Sequence, residues 1–463
     1  MRYVSTRGAA PVLCFRDVLL EGLARDGGLY VPEEWPVIGA LGTGTFAGRP
    51  YIDVATEVMA PFVEPDLTGD ELGQLVESAY SGFRDPDIVP LRELGDGHWL
   101  LELFHGPTLA FKDVALQLVG RLFDHELEAR GQRVTVVGAT SGDTGSAAIE
   151  ALAGLSSVEV IILHPRGRVS DVQRKQMTTV LADNVHNVAV EGTFDDCQDL
   201  VKAMFAHEEF RNRVELSAVN SINWARVMAQ TVYYATSAAR VAPGQPVSYS
   251  VPTGNFGNVF AGWVAGQAGL PIDQLVVASN RNDILARFLE TGEMKAEGVA
   301  PSLSPSMDIQ VSSNFERLLF EGVDREGATV ERLLSEFRST GRFELDPDAL
   351  ARITDRFTGH RLDDEGTLAV IGQIHDELGI LVDPHTAVGL AAARACRRDP
   401  DVPMITLATA HPAKFPDAVQ QATGVRPELP TFLAELMDRP ERATDLDNDL
   451  DTIEDFVISA SGR

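Results

Sequence analysis

The sequence is short of positive charge. Its 463 residues carry 68 aspartates and glutamates against 39 lysines and arginines, a formal net charge of −29 at pH 7. A polyanion of this kind repels nucleic acid and anionic membrane surfaces, so neither is an expected partner. Cysteine is equally sparse. Cys14, Cys197 and Cys396 lie far apart without metal-ligand spacing, which excludes a disulfide framework and suits a reducing compartment. No stretch approaches the roughly 20 apolar residues of a membrane span, and the opening MRYVSTRGAAPVLCF has no apolar run before a cleavage site. The expectation is a soluble, cytoplasmic protein. Hydrophobic residues at 44% and charged residues at 23% are ordinary globular usage, and the length suits about two or three structural units.

Lysine is the scarcest charged residue. Lys112, Lys175, Lys202, Lys295 and Lys414 are the only five, beside 34 arginines. Where positive charge alone is wanted, this chain uses arginine. Each lysine therefore raises a question, because a neutral amine can do chemistry that a guanidinium cannot.

What is present is a repeated alternation of short apolar strands and helices. Residues 1–100 form a mixed segment, with helical patterns near 53–60 and 69–81. Strands are expected at Arg133 to Val137, Val158 to Leu163, Val247 to Val251, Leu275 to Ala278 and Pro403 to Leu407. Continuous apolar strands separated by helices imply a buried, mainly parallel sheet, whose ligands bind beyond the carboxyl ends of the strands. Roughly 290–345 is rich in Ser, Pro and Glu and reads as an excursion between core strands. Beyond about 425 the chain reads as peripheral, its acidic run from Asp445 to Asp455 a solvated tail.

Three loops fall where ligands would bind. Gly254-Asn255-Phe256-Gly257-Asn258 follows a strand and opens a helix, so its backbone N–H groups can cup an anion at the positive end of the helix dipole. It carries neither the GK[ST] of a triphosphate loop nor the G-x-G-x-x-G of a dinucleotide fold, and a plain tight turn would look similar. Ala139-Thr140-Ser141-Gly142-Asp143-Thr144-Gly145 repeats the context, either as a carboxylate cradle or as a cluster of helix-capping residues. The third loop, His105-Gly106-Pro107-Thr108-Leu109-Ala110-Phe111-Lys112-Asp113, sets Lys112 among apolar neighbours. Desolvation there would lower the amine's pKa and fit it for Schiff-base and proton-transfer chemistry, whereas a lysine near a helix start is ordinarily a surface residue. Gly42 to Ala47 fits a loose G-x-G-x-x-A pattern but lacks a preceding strand, so it reads as a loop. His385, His411 and Lys414 form no zinc set.

Taken in order, HGPTLAFKD, GATSGDTG, PTGNFGN and LATAHPAKF resemble the threonine synthase family, in its longer form with an extra N-terminal segment. RDGGLYVPE (Arg25 to Glu33) and SINWARVMAQ (Ser221 to Gln230) resemble it too, and the similarity runs from about residue 3 to about 420. The resemblance implies fold type II of the pyridoxal 5′-phosphate (PLP) enzymes, an α/β fold like the tryptophan synthase β subunit, with mainly parallel sheets flanked by helices. It divides the chain into an N-terminal domain (1–100), a subdomain bearing the PLP lysine and the substrate-carboxylate loop (101–245), a large PLP-phosphate-binding domain (246–425) and an acidic C-terminal extension (426–463). Lys112 would carry the cofactor covalently. Gly254, Asn255, Phe256, Gly257 and Asn258 would bind its phosphate, and Thr409 would bond its pyridine nitrogen. Ser141, Gly142, Asp143 and Thr144 would hold the substrate carboxylate or the cofactor 3′-oxygen.

The implied activity is a carbon–oxygen lyase reaction of threonine biosynthesis, in which O-phospho-L-homoserine and water give L-threonine and phosphate. Lys112 would move protons at Cα and Cβ, phosphate would leave from Cγ, and water would add at Cβ. The leaving dianion needs a local cation, for which Arg226, Lys175, Arg174 and Lys414 are candidates, with Ser221 and Asn223 beside them. The alternative is a threonine synthase-like phospholyase that releases 2-oxobutanoate from the same substrate. The expected assembly is a monomer or homodimer, with no metal.

Overall fold

The computed structural model describes residues 1–140, 142–217 and 220–463. Two mostly parallel sheets organise the chain. The larger runs Phe357–Arg361, Ile272–Ser279, Val247–Pro252, Met404–Ala408, His98–Glu102 and Leu91–Gly95, with only the last pair antiparallel. The smaller runs Thr444–Leu446, Val185–Val190, Val158–Pro165, Val134–Ala139 and Leu216–Ser217, parallel throughout. Each apolar run expected to be a strand is one, with neither end displaced by more than three residues. Val247–Pro252 is buried at every position, which requires cover on both faces.

Helices supply that cover. Trp224–Val241 is buried from Trp224 through Ala239, so it is a core helix with almost no solvent face. It packs against Gly257–Gln267, Lys112–Arg130 and Tyr51–Val63. Lys112–Arg130 stops where Gly131 adopts φ 62°, a left-handed cap that glycine takes without strain. The loop at Gly42 to Ala47 follows a single 3₁₀ turn, Gly39–Gly42, and no strand.

The first residues form a small antiparallel sheet of Leu13–Cys14, Arg2–Ser5 and Tyr30–Pro32. The excursion expected near 290–345 folds back onto it. Its helix Phe315–Gly322 presents Glu316 to Arg7 at 3.1 Å and to the Thr6 hydroxyl at 2.6 Å. The segment just before that helix, Pro305 to Asn314, lies beyond the carboxyl end of Val247–Pro252, where Ser312 and Asn314 donate to the Gly254 and Asn255 carbonyls.

The acidic C-terminus departs from the expected solvated tail. Thr444–Leu446 joins the small sheet beside Val185–Val190, and helix Leu450–Ser461 buries Ile453 and Val457 against Val188, Leu163 and Met204. The charge count hid this because the run is amphipathic. Asp447, Asp449, Asp451 and Asp455 face water while the apolar residues between them face the sheet. Among the described residues no helix is long and apolar enough to cross a membrane. Replacing Ile453 with alanine should cost about 2–4 kcal/mol of stability, read as a lower urea midpoint. A free tail would leave that midpoint unmoved.

Candidate active site

The carboxyl ends of Val247–Pro252 and Met404–Ala408 open into a cavity of about 700 Å³, part of it open to solvent. Its wall brings together Lys112, Asp143, Thr144, Ser221, Arg226, Thr409 and the whole loop Gly254 to Asn258. These residues come from five separate stretches of sequence. Their meeting follows from strand order, since the two strands are parallel neighbours and the loops that follow them emerge on one side.

Lys112 opens its helix with its amine buried, the residue being 8% exposed. Two features hold the turn before it. Asp113 accepts from the Thr108 amide and hydroxyl at 2.8 and 2.6 Å, occupying the space where a side chain at Gly106 would sit. Leu109 adopts φ 62°, and the adjacent Ala110 bridges to Ala410, so that the Phe111 amide donates to the Thr409 carbonyl at 2.9 Å. Loop and strand end are thereby stitched together, which places Thr409 beside the lysine. Burial raises the Asp113 carboxyl to about 6.

The Lys112 amine lies 3.4 Å from Asp143 and 4.9 Å from the ring centroid of Phe111. Burial holds it below the usual lysine range; Asp143 opposes that shift, and Lys414 and Arg226 reinforce it. Burial alone would raise the Asp143 carboxyl, yet Lys414 and Lys112, with the Gln173 amide, hold it well below the usual carboxylate range. A side chain so engaged is an anion facing the cavity. Such an anion would repel a substrate carboxylate, which favours Thr144 over the Asp143 side chain for that part of the loop's expected role. Gly142 is turned inward as well: its amide donates to Thr140 Oγ1 at 3.0 Å, and Gln173 fills the space a Cβ would need. Thr144 remains on the cavity wall, and Ser141 lies outside the described residues.

Across the cavity, helix Gly257–Gln267 begins after Phe256, which takes the left-handed φ of 64°. The first amides of a helix have no intrahelical acceptor and face outward. Gly254 allows the closest approach. A Cβ there would lie 2.4 Å from the Ser306 carbonyl. Asn258 accepts from the Tyr233 and Tyr234 hydroxyls at 2.6 and 3.0 Å, leaving its buried Nδ2 without a partner.

Arg226 is 4% exposed, and its Nε and Nη1 atoms have no acceptor among the described residues. Burial lowers the guanidinium to about 10, so it stays charged near neutrality. One turn further along the same helix, Gln230 Oε1 is also buried and unpartnered. The other cations expected to grip phosphate lie elsewhere. Arg174 and Lys175 are both paired with Glu441, and Lys414 is wholly buried behind Asp143. Asn223 caps the helix that carries Arg226, accepting from the Ala225 amide at 3.0 Å. His411 caps a 3₁₀ turn, and burial lowers its ring to about 4.

Three wall residues carried no motif. Ser306 and Met307 come from the excursion, whose composition suggested only an irregular loop. His385 was visible only as part of a discarded metal set. Its Nδ1 lies 2.7 Å from Asp383, and its Nε2 accepts from the Ser306 amide at 3.3 Å, which fixes the tautomer.

Known proteins share both sequence and architecture. Residues 2–80 match the family model "Threonine synthase N terminus", 86–336 match "Pyridoxal-phosphate dependent enzyme", and 386–457 match "Threonine synthase, C-terminal". The chain is 52% identical to a threonine synthase of Pseudomonas aeruginosa, covering 100% of this chain and 99% of that one. A crystal structure of PLP-bound threonine synthase from Brucella melitensis superposes at a TM-score of 0.97 with 50% identity, each chain covered in full. The yeast threonine synthase structure gives 0.94 at 38% identity, covering 100% of this chain and 99% of that one.

The close approach at Gly254 can be tested directly. Gly254→Ala should push the Ser306 segment away and weaken binding of pyridoxal phosphate at least about tenfold by calorimetry, roughly 1.4 kcal/mol. An unchanged affinity would mean that the loop does not set the anion cup.

Proposed function

The chain belongs to the threonine synthase family of PLP-dependent enzymes, with the type II fold, and on that premise we propose that it converts O-phospho-L-homoserine and water to L-threonine and phosphate. The observation that carries this reading is a buried amine, Lys112, sharing one cavity with two separate sites for anions. One is the backbone cup of Gly254 to Asn258; the other is the unpaired guanidinium of Arg226. A phosphorylated cofactor and a phosphorylated substrate need two such sites.

The residues present fit the cofactor. Its phosphate suits the cup at the start of Gly257–Gln267, where the unpartnered Asn258 Nδ2 supplies a further donor. Its aldehyde suits the Lys112 amine. Thr409, at the end of Met404–Ala408, offers the pyridine nitrogen a neutral hydroxyl, which leaves that nitrogen largely unprotonated. When bound, the cofactor supplies an electron sink for charge developing on the substrate carbons.

The chain's own residues orient the substrate and move protons. Arg226 binds the substrate phosphate through Nε and Nη1 and keeps it as the leaving group departs from Cγ. Its helix is fixed in register by the Asn223 cap and by burial on all sides. Thr144 and the backbone beside it hold the substrate carboxylate, since the Asp143 side chain is committed to lysines. The Lys112 amine would take protons from Cα and Cβ and return them at Cα and Cγ, while water adds at Cβ and its remaining proton goes with the phosphate. An amine held below its usual pKa can both accept and return protons near neutral pH. The excursion residues Ser306 and Met307 close the cavity on one side and limit competing water. We place the reaction in the cytoplasm, consistent with three free cysteines.

Borohydride reduction of the PLP-loaded protein followed by peptide mapping should find the adduct on Lys112, and turnover should release threonine and phosphate in equal amounts. Formation of 2-oxobutanoate instead would identify a phospholyase. Arg226→Met should lower kcat/KM for phosphohomoserine by more than about 100-fold, near 3 kcal/mol, while cofactor loading stays unchanged. Equal kcat/KM in the variant would remove Arg226 from the phosphate site.

A further inference from the structure

Lys414 is entirely buried and has no place on the cavity wall, so it touches neither substrate nor cofactor. It nevertheless makes the shortest ionic contact near the reacting amine. Its Nζ lies 2.9 Å from Asp143 Oδ1, while Lys112 approaches Oδ2 of the same carboxylate at 3.4 Å. We propose that Lys414 is a positioning residue that, by occupying Asp143, assigns the neutral state to Lys112 and so makes that amine the proton carrier.

Two lysines share one largely buried carboxylate; with Arg226 acting on Lys112 and Asp113 acting on Lys414, three cations meet two carboxylates, one positive charge too many. Arg226 lies close enough to add repulsion. The excess is relieved when one lysine gives up its proton. Lys414 donates to Asp143 Oδ1, to the Thr108 carbonyl at 2.7 Å and to Gln176 Oε1 at 2.9 Å, which engages all three protons of an ammonium. Lys112 has a single long contact and otherwise faces the cavity. Deprotonating Lys414 would leave a buried acceptor unmatched, whereas deprotonating Lys112 leaves none. The proton leaves Lys112.

The surrounding elements support this division. Helix Asp171–Thr178 contributes Gln173 and Gln176, which brace Asp143 and Lys414 and cannot titrate. Helix Asp143–Leu152 contributes Asp143 itself and Glu150, the latter nearer Asp113. Asp113, next to Lys112 in sequence, spends both carboxylate oxygens on Thr108. His411, near Lys414 in the chain, is held neutral by burial, and Arg226 is the remaining charge facing Lys112. Among the described residues Asp143 is the carboxylate within ion-pair distance of both amines, while Asp113 acts on Lys414 from further off.

The proposal rests on the assignment of Lys112 above, but its test does not need the cofactor. With five lysines in the chain, side-chain carbon-13 labelling gives a spectrum in which the Lys112 signal is identified by its loss in Lys112→Arg. In the apoprotein, Lys414→Met should raise the Lys112 titration midpoint by about one unit or more, a tenfold change, because Asp143 then has Lys112 as its only ammonium partner. Asp143→Asn should lower it, leaving Lys112 to face Lys414 and Arg226 uncompensated, and Lys414→Arg should stay near the parent value. The acid limb of kcat/KM in the loaded enzyme should move in the same directions. An unmoved Lys112 midpoint in Lys414→Met, or a rise in Asp143→Asn, overturns the proposal; should Lys414→Met fail to fold, Asp143→Asn decides it alone. A missing borohydride adduct on Lys112 would instead overturn the reading of the site.

Discussion

A largely buried carboxylate with a lysine amine on each side is the contact around which this site is built. Asp143 begins a helix in the small sheet's half of the chain, Lys112 begins another, and Lys414 follows a strand of the large sheet. Removing Asp143 would leave two buried amines facing each other without a counter-charge, and removing Lys414 would leave the carboxylate without its closest cation, a penalty of several kcal/mol in either case. The three loops are held in register by that mutual need, more firmly than neutral contacts could hold them. Gln173 and Gln176 then fix the cluster to helix Asp171–Thr178, whose outer face carries the C-terminal segment through Glu441.

The same electrostatics reconcile a strongly negative protein with two anionic ligands. The surplus carboxylates lie mainly on the surface, where water and salt screen them within about 10 Å. Inside the cavity the balance reverses, because Arg226 has no carboxylate partner and the helix starting at Gly257 turns its positive end inward. Local sign, set by a few desolvated groups, outweighs the total. The negative exterior then argues against polyanionic partners without bearing on a small phosphorylated one.

Much of this was legible in the chain. Short β-branched runs placed the strands within three residues because a buried parallel strand has few other ways to be written. The three loops at strand ends were legible for a similar reason, since glycine, small hydroxyls and a scarce lysine each mark a backbone or chemical demand. What escaped was long-range. Ser306 and Met307 reach the cavity only because the excursion folds over it, and nothing in their own types signals that. Lys414 was read as a phosphate-binding candidate, since its sequence cannot show that Thr108, Gln176 and Asp143 already surround it. The acidic tail misled because a count of charges ignores their spacing on a helix, where the apolar face is set by Ile453 and Val457.

The N-terminal segment gains a purpose from one further residue. Arg317 is fully buried and has no carboxylate partner; it donates to the Tyr30 carbonyl at 3.0 Å, to the Ile222 carbonyl at 2.6 Å and to Asn314 Oδ1. Burial lowers it to about 9, which still leaves it charged. Asn314 in turn donates to the carbonyls of Asn255 and Ser221 at 2.9 and 3.0 Å. A single guanidinium thus links the first sheet, the turn before the Arg226 helix and the anion cup. Five donors in a rigid plane can bind several backbone segments at once, which a flexible ammonium cannot do with the same definition. That explains why arginine serves here in a chain that reserves buried lysine for the reacting amine and its partner. It also explains why residues far from the cavity belong to the same folding unit: the cup keeps its shape only while the segment around Tyr30 supplies the carbonyl on which Arg317 is anchored.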